Sequence, residues 1–474
     1  MKKFSTDRKS VSGLKIAYIG GGSRSWAYTL MNDLAQESAL SGTVALYDID
    51  FDGAYNNEII GNKLSARSDV VGKWEYKAYK TIGEALTGAD FVAISILPGT
   101  FDEMASDVHA PEKYGIYQSV GDTTGPGGIV RTLRTVPMFE EFALAIKEYC
   151  PNAWVINFTN PMAACVKTLY KVFPEIKAFG CCHEVFGTQK VMSQMICEKY
   201  GFMPERDEIK INVVGINHFT WLTSAKYKEI DAFEVYADYV KAHPNGIDNN
   251  DDNWVGISTS NKQKVKFDLF KKYGCIAAAG DRHLAEFCNG SWYLKDPETV
   301  EKFGFKLTSV ENRKEILKKR LKKAERLASG EEEFKLHDSG EESVRQIKAL
   351  LGLGDFVTNV NIPNVGQMPN SPTGAIVETN AFFCADTVQP VLAGTLPHTV
   401  NAMVTRILEE QETVVDAALY GDYELAFSAF VNNANVNLSL DDARSLFDEM
   451  LENTKAYLPY YENYKKQRSE SGEQ

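Results

Sequence analysis

The chain has 474 residues, 44% of them apolar and 24% charged, the balance of a soluble globular protein long enough for two or three domains. A formal net charge of −13 with no dense Lys/Arg stripe argues against nucleic-acid partners and points to small molecules instead. No apolar run is long enough to span a bilayer, Met1 to Gly13 lacks the apolar centre of an export signal, and eight scattered cysteines form no CxxC pair, so a cytoplasmic protein without membrane partners is expected.

In chain order, Leu14 to Ile19 reads as a buried strand that runs into Gly20-Gly21-Gly22-Ser23, after which Trp26, Leu30 and Leu34 recur at helical spacing. Val44 to Tyr47 is a second strand ending in Asp48, and Phe91 to Ile96 a third, apolar throughout as parallel strands buried on both faces are. Ala153 to Phe158 and Ile176 to Cys182 continue the series, separated by helical stretches at Leu133 to Tyr149 and Met162 to Val172. This alternation predicts a doubly wound, Rossmann-like parallel sheet over residues 12–190. Residues 191–465 form a mixed, mostly helical α+β domain, with a strand at Ile211 to Val214 and an amphipathic helix at Ile316 to Ala328. His243 to Asn253 and Ser329 to Glu342 read as surface loops, and the tail after Tyr464 as frayed.

Three places carry chemistry. The glycines let a pyrophosphate approach the positive end of the following helix, and Asp48 can accept hydrogen bonds from a ribose diol, favouring NAD over NADP. Cys182, in Gly180-Cys181-Cys182-His183-Glu184-Val185, and His218, in Gly215-Ile216-Asn217-His218-Phe219, follow apolar runs, so the two could share one divalent metal that keeps positions open for substrate. Cys181 should point the opposite way, into the core. The loop Gly121 to Gly128 holds a single carboxylate, Asp122, and Ala279 to Phe287 packs four ionisable groups between apolar runs.

These motifs, with Asn157-Phe158-Thr159-Asn160-Pro161, resemble the NAD- and Mn-dependent glycoside hydrolases of family 4 over almost the whole chain, and Cys-His-Glu-Val resembles their α-galacturonidase branch. That family departs from the two-carboxylate scheme of most glycosidases. The resemblance implies a lactate/malate dehydrogenase-like fold, bound NAD and Mn2+, a homodimer or homotetramer, and cleavage of α-galacturonides by transient oxidation at C3, proton removal at C2 and elimination then addition at C1. By position it implies Gly20, Gly21, Gly22, Ser23, Asp48 and Asn157 at the cofactor, Cys182 and His218 on the metal, and Asn160 and Asp122 on the sugar. Asp281 falls where relatives carry a base and His183 where phospho-specific relatives carry an aspartate acid, so that His183, Glu184 or a metal-bound water could serve as the acid here, and Arg282 or Arg131 is the candidate cation for the uronate carboxylate. Leu97-Pro98-Gly99 replaces the arginine of phospho-sugar relatives, so a sugar phosphate would lose a partner. Rival readings are another α-glycoside specificity in the family, a net NAD-dependent dehydrogenase of sugar or hydroxy acids, and a non-catalytic NAD sensor.

Overall fold

The structure is a computed structural model that describes residues 2–247 and 262–471. Six parallel strands lie in the order Lys73–Tyr79, Leu40–Tyr47, Val11–Ile19, Phe91–Ile94, Trp154–Asn157 and Lys177–Gly180. The direction of winding therefore reverses between Val11–Ile19 and Phe91–Ile94, the place where sheets of this kind hold a ligand at the strands' carboxyl ends. Side chains alternate across this sheet. Ile16 and Tyr18 pack with the helices Trp26–Ala35 and Ser343–Leu350, whereas Ala17 and Ile19 pack with Gly125–Tyr149 and Met162–Val172.

The expected strands are present, with ends shifted by a few residues, and the doubly wound sheet is the observed architecture. Lys73–Tyr79 was not anticipated, because as an edge strand it alternates exposed Lys73, Glu75 and Lys77 with buried Trp74 and Tyr76. Nor was the antiparallel extension beyond Lys177–Gly180, where Phe356–Pro363, Ile376–Cys384 and Thr387–Pro390 continue the same sheet. A second, antiparallel sheet pairs Lys210–Ile216 with Phe219–Tyr227, flanked by Ile230–Asp231 and Ile276–Ala277. Helices His398–Tyr420, Tyr423–Asn432 and Leu440–Thr454 pack on the helix Gly125–Tyr149 through Ile129, Val130, Leu133 and Val136.

Of the expectations for irregular segments, one is met and one needs correction. The segment after Ser329 carries no regular structure until Ser343 and lies mostly at the surface, as expected, and it is tied down as a strap. Phe334 and Leu336 pack on the sheet's core, and His337 exchanges backbone hydrogen bonds with the Asn32 side chain (3.0 and 2.9 Å). The tail past Tyr464 forms the helix Tyr461–Ser471, held by Arg468 on Asp448 (2.5 Å) and by buried Tyr464. Of the polar stretch His243 to Asn253, residues 248–253 lie outside the described residues. No helix among the described residues is long and apolar enough to cross a membrane.

Candidate active site

At the winding reversal, Gly20 has a left-handed φ of +92°, and a Cβ there would lie 2.0 Å from the Ser95 carbonyl oxygen. A Cβ on Gly21 would meet Leu46 at 2.8 Å and one on Gly22 the Asp48 carboxylate at 2.9 Å, so only glycines permit this turn. Asp48 accepts the Gly22 N–H (2.8 Å) and the Asp50 N–H (2.9 Å). Ser23 Oγ accepts the Trp26 N–H at the start of the helix (3.1 Å), and Asn57 supports the turn from behind through the Gly21 and Ser23 carbonyls. A bare turn, a helix N-terminus and an acid at the next strand's end fit a dinucleotide. Asn157 serves differently: its buried amide exchanges two hydrogen bonds with the Thr159 backbone, both 3.0 Å, shaping the Asn157-to-Pro161 turn.

Across the strand ends, Asp122, His218 and His283 converge, with ligand-capable atoms all within 4.8 Å of one another. His218 is the second residue of a two-residue hairpin turn between Ile216 and Phe219 and has a left-handed φ of +63°. Non-glycine residues seldom adopt that conformation, and those that do concentrate at functional sites. His283 comes from the helix Asp281–Phe287, and the two imidazole centroids stand 3.8 Å apart. Burial and the neighbouring His283 push the His218 pKa down to about 3, so it is neutral. Burial also opposes charge on His283, but Glu184 at 3.3 Å reverses the effect and raises its pKa. Asp122 stays below the usual carboxylate range: burial works against its charge, and Arg131, His218 and His283 outweigh burial.

Cys182 is not one of the three converging residues. Burial, then the charges of Glu378 and Glu184, raise its thiol pKa. Glu378 accepts from Asn217 (3.2 Å) and Asn359 (2.7 Å), and burial pushes it up to about 7. A divalent cation is what would draw a thiolate from such a place, and two imidazoles, a carboxylate and this thiol are a donor set that fits one. Cys181 does turn away, onto Gln346 (3.0 Å).

The adjacent residues His183 and Glu184 separate. Glu184 has both oxygens engaged, Oε1 on His283 and Oε2 on the Gly280 N–H (2.6 Å), and lies well below the usual range because His283 outweighs burial. His183 pairs with Glu341 of the strap (3.2 Å) beside the Trp26 ring, and is the more exposed of the two. Asp281 opens the same short helix as His283, yet its Oδ1 accepts the Lys266 N–H (3.1 Å) at the first turn of Lys264–Tyr273, while Oδ2 is buried without a partner. Burial raises its pKa to about 6. Asn160 lends its carbonyl to Arg131 Nε (3.1 Å) and has a buried Oδ1 without a partner. Arg282 commits its guanidinium to the Ser119 carbonyl, Thr308 Oγ1 (2.7 Å) and the Lys306 carbonyl (2.9 Å).

Sequence reasoning assigned no role to His283 or Glu286 and overlooked Arg313, Glu341 and Glu378. His283 and Glu286 had a signal, since both sit in the noted ionisable run. Arg313 lies on the first turn of the helix Val310–Ser329, half-buried, with no side-chain hydrogen bond or ion pair among the described residues, and its charge interacts with Asp122.

The chain is similar to known proteins over nearly its whole length. An α-galacturonidase of Thermoanaerobacterium saccharolyticum is 63% identical over 457 residues, 96% of this chain and 98% of that protein. A Bacillus subtilis crystal structure described as a candidate glucosidase is 50% identical with a TM-score of 0.88, covering 93% of this chain and 100% of its own. A 6-phospho-α-glucosidase from gut microorganisms, crystallised with NAD and Mn2+, has the same fold at 19% identity, with a TM-score of 0.76 over 94% of this chain and 99% of that one. The sequence matches the family 4 glycosyl hydrolase description over residues 15–198 and that family's C-terminal domain over residues 213–436. The chain belongs to the family 4 glycosyl hydrolases.

Proposed function

We propose that this protein is an α-galacturonidase that works with bound NAD and a divalent cation, Mn2+, without net redox change. The observation that carries the substrate is the identity with the Thermoanaerobacterium saccharolyticum α-galacturonidase along nearly the whole of both chains. The glycine turn with Asp48 supports the dinucleotide, and the His218 cluster supports the cation. NAD would supply a hydride acceptor for the sugar C3, and the cation positive charge where oxygens at C2 and C3 become anionic.

The protein's own groups have separable tasks in this reading. Asp281, assigned by its position in the family pattern, takes the C2 proton once oxidation at C3 has acidified it; its buried carboxylate sits on the first-turn N–H groups of the helix Lys264–Tyr273. His183, the more exposed member of its pair, gives a proton to the departing glycosidic oxygen at C1. Water then adds at C1, and the C2 proton and C3 hydride return, so the net change is hydrolysis. Asn160 Oδ1 accepts a sugar hydroxyl, and Arg131 keeps Asp122 ionised beside it. Because Arg282 is committed to backbone, Arg313 takes the place of the uronate's cation.

Incubation with an α-galacturonide in heavy water tests the reading: deuterium at C2 of the released galacturonate, with no accumulated NADH, is expected. Stoichiometric NADH without cleavage would mean a dehydrogenase instead. The rival α-glucoside specificity is not favoured, because relatives 51–63% identical to this chain are named α-galacturonidases. A panel of nitrophenyl α-glycosides differing at C4 and C5 separates the two, and preference for the α-glucoside would displace galacturonide as substrate.

A further inference from the structure

Resting on the reading above, in which a divalent cation works at this site, we propose that His283 ligates that cation together with His218 and Asp122, and that Glu184 is the outer carboxylate orienting His283. The hydrogen bonds fix which nitrogen each ring offers. Thr123 has one hydroxyl proton and gives it to Asp122 Oδ1 (2.8 Å), so Nδ1 of His218, 3.2 Å from the Thr123 hydroxyl oxygen, must be the donor in its contact with Thr123. The lone pair of His218 is then on Nε2. His283 shows the same pattern with a different partner: its Nδ1 faces Glu184 Oε1 at 3.3 Å, which again leaves Nε2 to bind. Metal-bound histidines characteristically give their other ring N–H to a carboxylate or similar acceptor, which sets tautomer and ring direction.

Glu184 holds more than the ring. Its second oxygen accepts the Gly280 N–H at 2.6 Å, three residues before His283, so one side chain secures both the imidazole and the start of the helix that carries it. The three ligands come from the loop Gly121 to Gly128, the hairpin turn at Asn217-His218 and the helix Asp281–Phe287, so their meeting is a product of the tertiary fold. Two imidazole nitrogens and one carboxylate oxygen suit a borderline divalent cation and leave positions for two adjacent sugar hydroxyls.

The test uses the full chain and Mn2+ alone. Pulsed electron paramagnetic resonance of the Mn2+-loaded wild type should show two coordinated imidazoles, and His283→Ala should show one. In calorimetric titrations, His283→Ala should lower Mn2+ affinity at least about tenfold, and Glu184→Gln, which keeps the side chain's shape, about 10–100-fold. A single coordinated imidazole in the wild type, or wild-type Mn2+ affinity in His283→Ala, overturns the assignment. Two imidazoles on Mn2+ in a protein that leaves α-galacturonides intact would keep this site and end the catalytic reading. Cleavage with only one imidazole on the metal would do the reverse.

Discussion

Arg313 shows how much a single side chain can decide. Uncommitted, half-buried arginines are uncommon, because the guanidinium presents five N–H donors that demand acceptors. Arg131 and Arg282 already have theirs, the first on Asn160 beside the Asp122 charge and the second on three backbone and hydroxyl oxygens. A uronate carboxylate supplies two planar acceptors that match the remaining fork. A charged hydrogen bond of this type contributes about 1.5–3 kcal/mol, so Arg313→Ala should raise KM for an α-galacturonide about 10–100-fold. Binding of NAD and Mn2+ should be unaffected. The neutral α-galactoside separates this from general damage: if the variant loses both substrates equally, Arg313 is not the uronate's partner.

At the scale of elements, the short helix Asp281–Phe287 organises the loop that delivers Asp122. Glu286, one turn after His283, accepts the N–H groups of Val120 (2.6 Å) and Gly121 (2.8 Å) with one buried oxygen, and Arg282 and Ser119 bind each other's backbone beside it. Asp122 is the next residue, so Glu286 sets its distance from His283. Removing the carboxylate leaves two buried N–H groups unsatisfied, at about 1–3 kcal/mol each. We expect Glu286→Ala to lower both the melting temperature and Mn2+ affinity, and Glu286→Gln, which can still accept, to recover most of each. Equal Mn2+ affinity in the Ala variant would show that the loop holds its position unaided.

The same elements explain what was legible. Phe91–Ile94 and Lys177–Gly180 announce themselves because both faces of a parallel strand are buried, and the chemistry after them is contiguous in sequence, as with Cys182, His183 and Glu184. Phe356–Pro363 does not, because Asn359 and Asn361 occupy buried positions of that strand, the first donating to Glu378 and the second to Met162 Sδ, and so erase the apolar pattern. Arg313 and Glu341 reach the site from a charged helix and an irregular strap, where no local spacing marks them.

Over the whole molecule, the fold keeps carboxyl groups where ionisation is costly. Burial pushes Glu286, Glu378 and Glu410 each up to about 7, above the ordinary glutamate value of 4.5. Between those two values such a group is protonated when folded and ionised when unfolded, so unfolding releases a proton. Its stabilising contribution is therefore complete below about pH 4.5, falls as pH rises to about 7 and changes no further above that. The slope is about 1.4 kcal/mol per pH unit for each group. Glu410 isolates the effect, because it lies in the helix His398–Tyr420 with Asn433 as its hydrogen-bond donor (2.7 Å), away from the His218 cluster. Glu410→Gln keeps an acceptor for Asn433 and removes the ionisation. In thermal unfolding of the metal-free protein, the variant should match the wild type near pH 4.5 and exceed it at pH 8 by about 3 kcal/mol. An advantage that is the same at both pH values would mean that the gain comes from packing, and that the charge of Glu410 costs the fold nothing.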